Sequence, residues 1–195
     1  MAWRPRIRTF LSLTIINPAV AVIAKTGVSP NLLTLLSLLA GLVAAYLLAQ
    51  GLFIGGALGI LLSGTLDLLD GAVARATGKV SRFGALLDST LDRLTEGAYF
   101  FGLMWFYLRS GSNQEVLLIY LTLLGSLLIS YVRARSEGLG VQGDVGILAR
   151  GERLVILALG LLLNIVLVIL WVLVILILVT FLQRLIYSLR QAKRM

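Results

Sequence analysis

Long apolar runs separated by short polar breaks dominate the chain. A membrane-spanning helix needs about 20 apolar residues, and five such runs are evident at 31–50, 53–77, 82–109, 114–137 and 146–166. The remainder is one long apolar tract, with no charged residue from Leu154 to Gln183. At about 1.5 Å per helical residue, the stretch from Gly146 to Tyr187 is roughly twice what one crossing requires. It therefore predicts two helices, with the turn near Asn164 to Ile169. The pair Ser29-Pro30 suits a helix start, Ser29 as the cap and Pro30 in the first turn.

Composition fixes the solvent of these helices. An apolar content of 59% with only 13% charged residues exceeds what a soluble core buries. This excludes a soluble enzyme, a nucleic-acid-binding domain and a disordered chain as the main body, and the net charge of +8 is read against a membrane surface. The expectation is an all-α integral membrane protein of six transmembrane helices, residues 29–195, preceded by an N-terminal interfacial amphipathic helix, residues 1–28. Short cytoplasmic loops retain Lys and Arg. With six crossings, Arg4, Arg6, Arg8, Lys25, Arg75, Lys79, Arg82, Arg93, Arg133, Arg135, Arg150, Arg153, Arg184, Arg190, Lys193 and Arg194 share one side, and Arg109 alone takes the other. Both termini are then cytoplasmic, in a multi-pass protein of the cell membrane. The first 25 residues superficially resemble a signal peptide, but Pro18 breaks the apolar run and cleavage would invert the next helix.

The chain contains no Cys and no His, which removes thiolate zinc sites, cysteine nucleophiles and the commonest general base. Chemistry must rest on carboxylates and arginines. Four of the nine acids, Asp67, Asp70, Asp88 and Asp92, lie inside the apolar part of the chain. On the second spanning helix Asp67, Asp70 or Gly71, and Ala74 share a face; on the third, Gly84, Asp88 and Asp92 do so at i, i+4 and i+8. A short turn around Gly78 makes the two helices antiparallel neighbours and brings both aspartate pairs to one depth near the cytoplasmic side. Isolated ionised carboxylates are costly in a membrane. Two divalent cations of hard character, Mg²⁺ or Mn²⁺, would neutralise four of them. Paired metals bridged by carboxylates serve in-line displacement at phosphorus, and Gly71 and Gly84 would leave room for a diphosphate. The bland reading, salt-bridge partners for Arg75, Lys79, Arg82 and Arg93 or an ion pathway, weakens because four acids converge on one open locus.

The string from Asp67 through Asp70, Gly71, Ala74 and Arg75 to Gly84, Asp88 and Asp92 resembles the signature of the CDP-alcohol phosphatidyltransferase family, with every fixed position met. The resemblance implies transfer of a phosphatidyl group from a CDP-linked lipid to an alcohol, releasing CMP. It implies that Asp67, Asp70 and Asp88 hold one Mg²⁺ and Asp67, Asp88 and Asp92 a second, with Asp92 taking the proton of the attacking hydroxyl. It assigns Gly71, Arg75, Ser81 and the segment Asn31-Leu32-Leu33-Thr34 to the CDP-lipid site, and it favours a homodimer.

The acceptor is addressed by a further set. Ser130, Arg133 and Arg135 lie near the cytoplasmic end of the fourth spanning helix, Arg150 and Arg153 at the start of the fifth, and Arg184 on the sixth. Guanidiniums able to converge there suit an alcohol that is itself a phosphate. The segments Ser130 to Glu137, Arg150 to Arg153 and Gln183-Arg184-Leu185 resemble the branch of the family that makes phosphatidylinositol phosphate, and its archaeal archaetidylinositol counterpart. The resemblance implies inositol phosphate as acceptor and CDP-diacylglycerol or CDP-archaeol as donor. Arg133 and Ala149 depart from the bacterial pattern, which has Lys and Glu there. Competing readings are a phosphatidylglycerol-phosphate synthase and, from another class, a cation carrier or channel. A carrier usually places its acids near the midplane, whereas these are biased to one side.

Overall fold

The computed structural model describes residues 17–141 and 145–193, and they form seven helices. These are α1 (Asn17–Thr26), α2 (Pro30–Ala49), α3 (Phe53–Ala76), α4 (Arg82–Arg109), α5 (Asn113–Gly138), α6 (Arg150–Leu162) and α7 (Val166–Ala192). No strand occurs among the described residues. The expected interfacial helix falls mostly outside them, including Arg4, Arg6 and Arg8; so does Arg194.

The helix boundaries follow local chemistry. Ser29 caps α2 by accepting from the Leu32 backbone N–H at 3.2 Å, and Pro30 fills the first turn, where its missing donor costs nothing. Gly78, at φ 67°, makes the turn between α3 and α4. The last apolar tract divides as its length requires, but earlier than expected. α6 ends at Leu162, Asn164 adopts φ 54°, and Ile169 already lies within α7. Asn tolerates the left-handed region because its short amide can bond locally.

Four helices, α2, α3, α5 and α7, are long and apolar enough to cross a membrane. α4 has the length, at 28 residues, but carries Asp88, Asp92, Arg93 and Glu96. α6 has 13 residues, or about 20 Å at the helical rise. This is a multi-pass, all-helical membrane protein.

α2 packs on α3 and α4, α5 packs on α7, and the two groups are joined by α4 against α5 and by α6, which docks against α3 and α7. The first group is drawn tight by small residues. A side chain at Gly59 of α3 would run into Ala44 of α2, and one at Gly102 of α4 would strike the Ala45 carbonyl oxygen. Without a hydrophobic force between helices in lipid, such close backbone approach and interhelical hydrogen bonds hold them together. Ser37 of α2 and Ser63 of α3 supply the latter, each hydroxyl donating to the other's backbone carbonyl, at 2.9 and 2.8 Å. A core including Leu48, Ile60, Tyr99, Leu103, Ile119, Leu157 and Leu170 runs through the bundle. A smaller cluster of Val20, Leu33 and Val73 seats α1 on α2 and α3.

Candidate active site

The tight packing of α2, α3 and α4 sets two helix faces opposite one another. Asp67 and Asp70 on α3 meet Asp88 on α4, and each of the three offers a carboxylate oxygen within 4.8 Å of the others. Asp70 is buried, and its Oδ2 has no hydrogen-bond partner. Converging carboxylates, one of them buried with an unsatisfied oxygen, fit a hard divalent cation. Asp67 belongs to this group and also shares the Arg150 guanidinium with Asp92, so it is the acid that links the group to Asp92.

Asp92 is held differently. Arg150 Nη1 lies 2.6 Å from Asp92 Oδ1 and 3.3 Å from Asp67 Oδ2, while Nη2 donates to the Asp92 backbone carbonyl at 3.3 Å. One guanidinium thus spans both helices of the acidic face. Arg93 adds a longer contact to Asp92, at 3.5 Å, and donates to the Ser89 carbonyl.

Beside the carboxylates lies a cavity of about 250 Å³, lined by residues of α2, α3, the turn after α3 and the first turns of α4. Asn31, Thr34, Gly71, Arg75 and Ser81 line it together with Lys79, Gly84, Asp70 and Asp88. Five of the seven residues expected at the donor site are therefore brought together next to the acids. Leu32 and Leu33 are not: Leu32 is exposed, and Leu33 packs with Val20 and Val73. Ser81 caps α4 by accepting from the Gly84 N–H at 3.0 Å. The Arg75 guanidinium folds back over Gly71, where a side chain would meet Nη1 at 3.3 Å.

The arginines expected to meet the acceptor are dispersed. Arg133 pairs with Glu137 at 2.8 Å on the exposed end of α5, where Arg135 is also exposed and Ser130 half-buried. Arg150 lies on the aspartates. Arg153 is 3% exposed and faces Glu96 at 3.3 Å. Arg184 is buried, donating to the backbone carbonyls of Val145 at 2.9 Å and Ile129 at 3.0 Å, so it ties α5 and the segment before α6 to α7. Glu96 was not singled out from the sequence as a site residue, although it continues the i, i+4 series from Asp88 through Asp92. Glu152 reaches back to the Ala149 N–H at 2.7 Å and closes the first turn of α6.

Carboxylates of two helices and a polar cavity thus converge at one place in the helical bundle. The model of the CDP-alcohol phosphatidyltransferase family matches residues 27–182. The chain is 39% identical over 154 residues to a phosphatidylinositol phosphate synthase of Mycobacteroides abscessus, covering 78% of this chain and 69% of the relative. It is 40% identical over 165 residues to an archaetidylinositol phosphate synthase of Pyrococcus horikoshii, covering 83% and 84%. The crystal structure of a phosphatidylinositol phosphate synthase of Mycobacterium tuberculosis with CDP-DAG bound superposes with a TM-score of 0.81 at 33% identity, covering 89% of this chain and 93% of that one. A second structure of that enzyme, in complex with manganese and citrate, gives 0.79. The chain belongs to the CDP-alcohol phosphatidyltransferase family.

Proposed function

We propose that this enzyme transfers a phosphatidyl or archaetidyl group from a CDP-linked lipid to a hydroxyl of inositol phosphate and releases CMP. The cavity that places Asn31, Thr34, Gly71, Arg75 and Ser81 against Asp70 and Asp88 carries the reading. A polar recess opening onto a carboxylate cluster suits a nucleoside diphosphate whose lipid tails run along the helices.

Asp67, Asp70 and Asp88 would hold one Mg²⁺, and Asp67, Asp88 and Asp92 a second, with Mn²⁺ as a substitute. Such ions offset the charge of carboxylates and diphosphate and stabilise the charge that develops during displacement at phosphorus. The chain's own groups do the rest. Arg75, with a fork suited to phosphate, and Lys79 orient the diphosphate at the cavity wall. Asp92 accepts the proton of the attacking hydroxyl. The hydroxyl oxygen bonds to the lipid phosphorus, the bridging P–O bond breaks, and CMP leaves with the bridging oxygen. Arg150 orients Asp92 for that role; Arg133, Arg135 and Ser130, near the end of α5, would draw in the acceptor phosphate, and Arg153 and Arg184 would support the pocket from within the bundle.

The same reading makes α2 to α7 six crossings of the cytoplasmic membrane, with the carboxylates at the cytoplasmic side, residues 1–195 a single membrane-embedded domain, and the active form a homodimer. The deciding assay follows CMP release from CDP-diacylglycerol and Mg²⁺ with inositol phosphate, glycerol phosphate or serine. Inositol phosphate is expected to be the preferred acceptor by at least about tenfold in kcat/KM. A preference for glycerol phosphate would reassign the enzyme to phosphatidylglycerol-phosphate synthesis.

A further inference from the structure

One turn deeper than the catalytic carboxylates, a second charged layer crosses the bundle. Asp88, Asp92 and Glu96 recur at i, i+4 and i+8 on α4, and Arg150 and Arg153 at i and i+3 on α6, and the long arginine side chains bridge the two helices in two acid–base rungs. The upper rung is Asp92 with Arg150, at 2.6 Å and half-buried. The lower is Glu96 with Arg153, 3.3 Å apart with side chains 1% and 3% exposed. Ser126 of α5 donates to the same Glu96 Oε1 at 2.7 Å, so three helices meet at one carboxylate oxygen.

This layer is expensive to keep. Burying an ion pair costs several kcal/mol per charge before the attraction is counted, and here Glu96 Oε2 and Arg153 Nη2 are buried without partners. A packed apolar layer would hold the helices at least as well. What apolar residues would not supply is a directional contact at this point: packing sets which faces of the helices touch, and the guanidinium–carboxylate contact adds a preferred direction for the turn of α6 that carries Arg153. That direction decides whether Arg150, one turn away, reaches Asp92 and Asp67 together.

We infer that Glu96 is a positioning residue for the transfer reaction: braced by Ser126, it anchors Arg153 and thereby sets the first turn of α6 so that Arg150 spans Asp67 and Asp92. The inference rests on the proposed phosphatidyl transfer. Glu96 touches neither substrate, so its removal acts through Arg150 on turnover and not on the donor cavity, which α2, α3 and the start of α4 build.

The test measures CMP release by the full chain in detergent or vesicles, below the melting temperature of each variant. Glu96→Gln preserves shape and the Ser126 hydrogen bond but not the charge, and it is expected to lower kcat at least about tenfold while the CDP-lipid KM moves less than about threefold. Glu96→Asp, shorter but charged, should retain several times the kcat of Glu96→Gln, the reverse of the order that packing alone would give. In an Arg150→Lys background, Glu96→Gln should add less than about a threefold loss, because the two act in series. If Glu96→Gln does not fold, Ser126→Ala, which leaves both charges in place, enters the same cycle, and a loss there of about two- to fivefold that vanishes in the Arg150→Lys background supports the inference. Wild-type turnover in Glu96→Gln, a Glu96→Asp no better than Glu96→Gln, or losses that multiply in the cycle overturn it while leaving the transferase reading intact. A wild type that releases CMP with none of the acceptors removes that reading and this inference with it.

Discussion

Asp67 and Asp92 sit one helix apart, share the Arg150 guanidinium, and are expected to fail differently. Asp67 contributes to the carboxylate group with Asp70 and Asp88 and is tied to Asp92 through Arg150. Asp92 does not line the donor cavity. Asp92→Asn is therefore expected to abolish CMP release and leave CDP-lipid binding within about threefold, because an amide does not accept the proton. Asp67→Asn should lose both binding and turnover. Equilibrium binding of a CDP-lipid in the presence of Mg²⁺, measured beside turnover, separates the two, and equal binding by both variants would sink the assignment of Asp67 as the shared ligand. Residue identity alone did not sort the arginines in this way. Five guanidiniums with similar sequence surroundings end on a carboxylate pair, on a buried glutamate, on backbone carbonyls, beside Glu137 and at the exposed surface.

At the level of elements, the turn between α6 and α7 has the sharpest consequence. It is compressed into three residues, Leu163 to Ile165, between two apolar helices, and Asn164 reverses the chain at φ 54°. A β-branched side chain is strained in that region by about 1–2 kcal/mol, whereas glycine is not. Asn164→Val is expected to lower the melting temperature of the detergent-solubilised protein, with Asn164→Gly close to wild type. Equal melting of all three proteins would mean that this turn is not formed as described. The short α6 that precedes it is held at its start by Glu152 and by the two charged rungs to α4, so its orientation owes more to polar contacts than to length.

At the scale of the whole molecule, the chain's lack of cysteine makes topology directly measurable. With six crossings, the turns at Ser110 and Asn164 face away from the cytoplasm, and Gln191, near the end of α7, faces it. Single variants Ser110→Cys and Asn164→Cys should react with a membrane-impermeant maleimide on intact cells, and Gln191→Cys only after permeabilisation. Labelling of Gln191→Cys on intact cells would favour five crossings, which would export the last basic residues against the charge bias.

Much of this was decided before folding. Apolar runs of about 20 residues define a helical membrane protein because unpaired backbone groups are not tolerated in lipid. Ser29-Pro30 and Gly78 mark helix ends through local hydrogen bonding and backbone freedom. The helical period alone puts Asp88 and Asp92 on one face, and a short turn opposes them to Asp67 and Asp70. The tertiary structure decided what those faces meet. Whether Arg153 points to a ligand or to Glu96, whether Arg184 binds phosphate or the carbonyls of Ile129 and Val145, and that Leu33 seats α1 while Thr34 lines the cavity, all depend on the rotation and register of helices far apart in sequence. A period of 3.6 residues specifies which side chains share a face; only packing between helices, here through Gly59 against Ala44 and Gly102 against Ala45, specifies which faces touch.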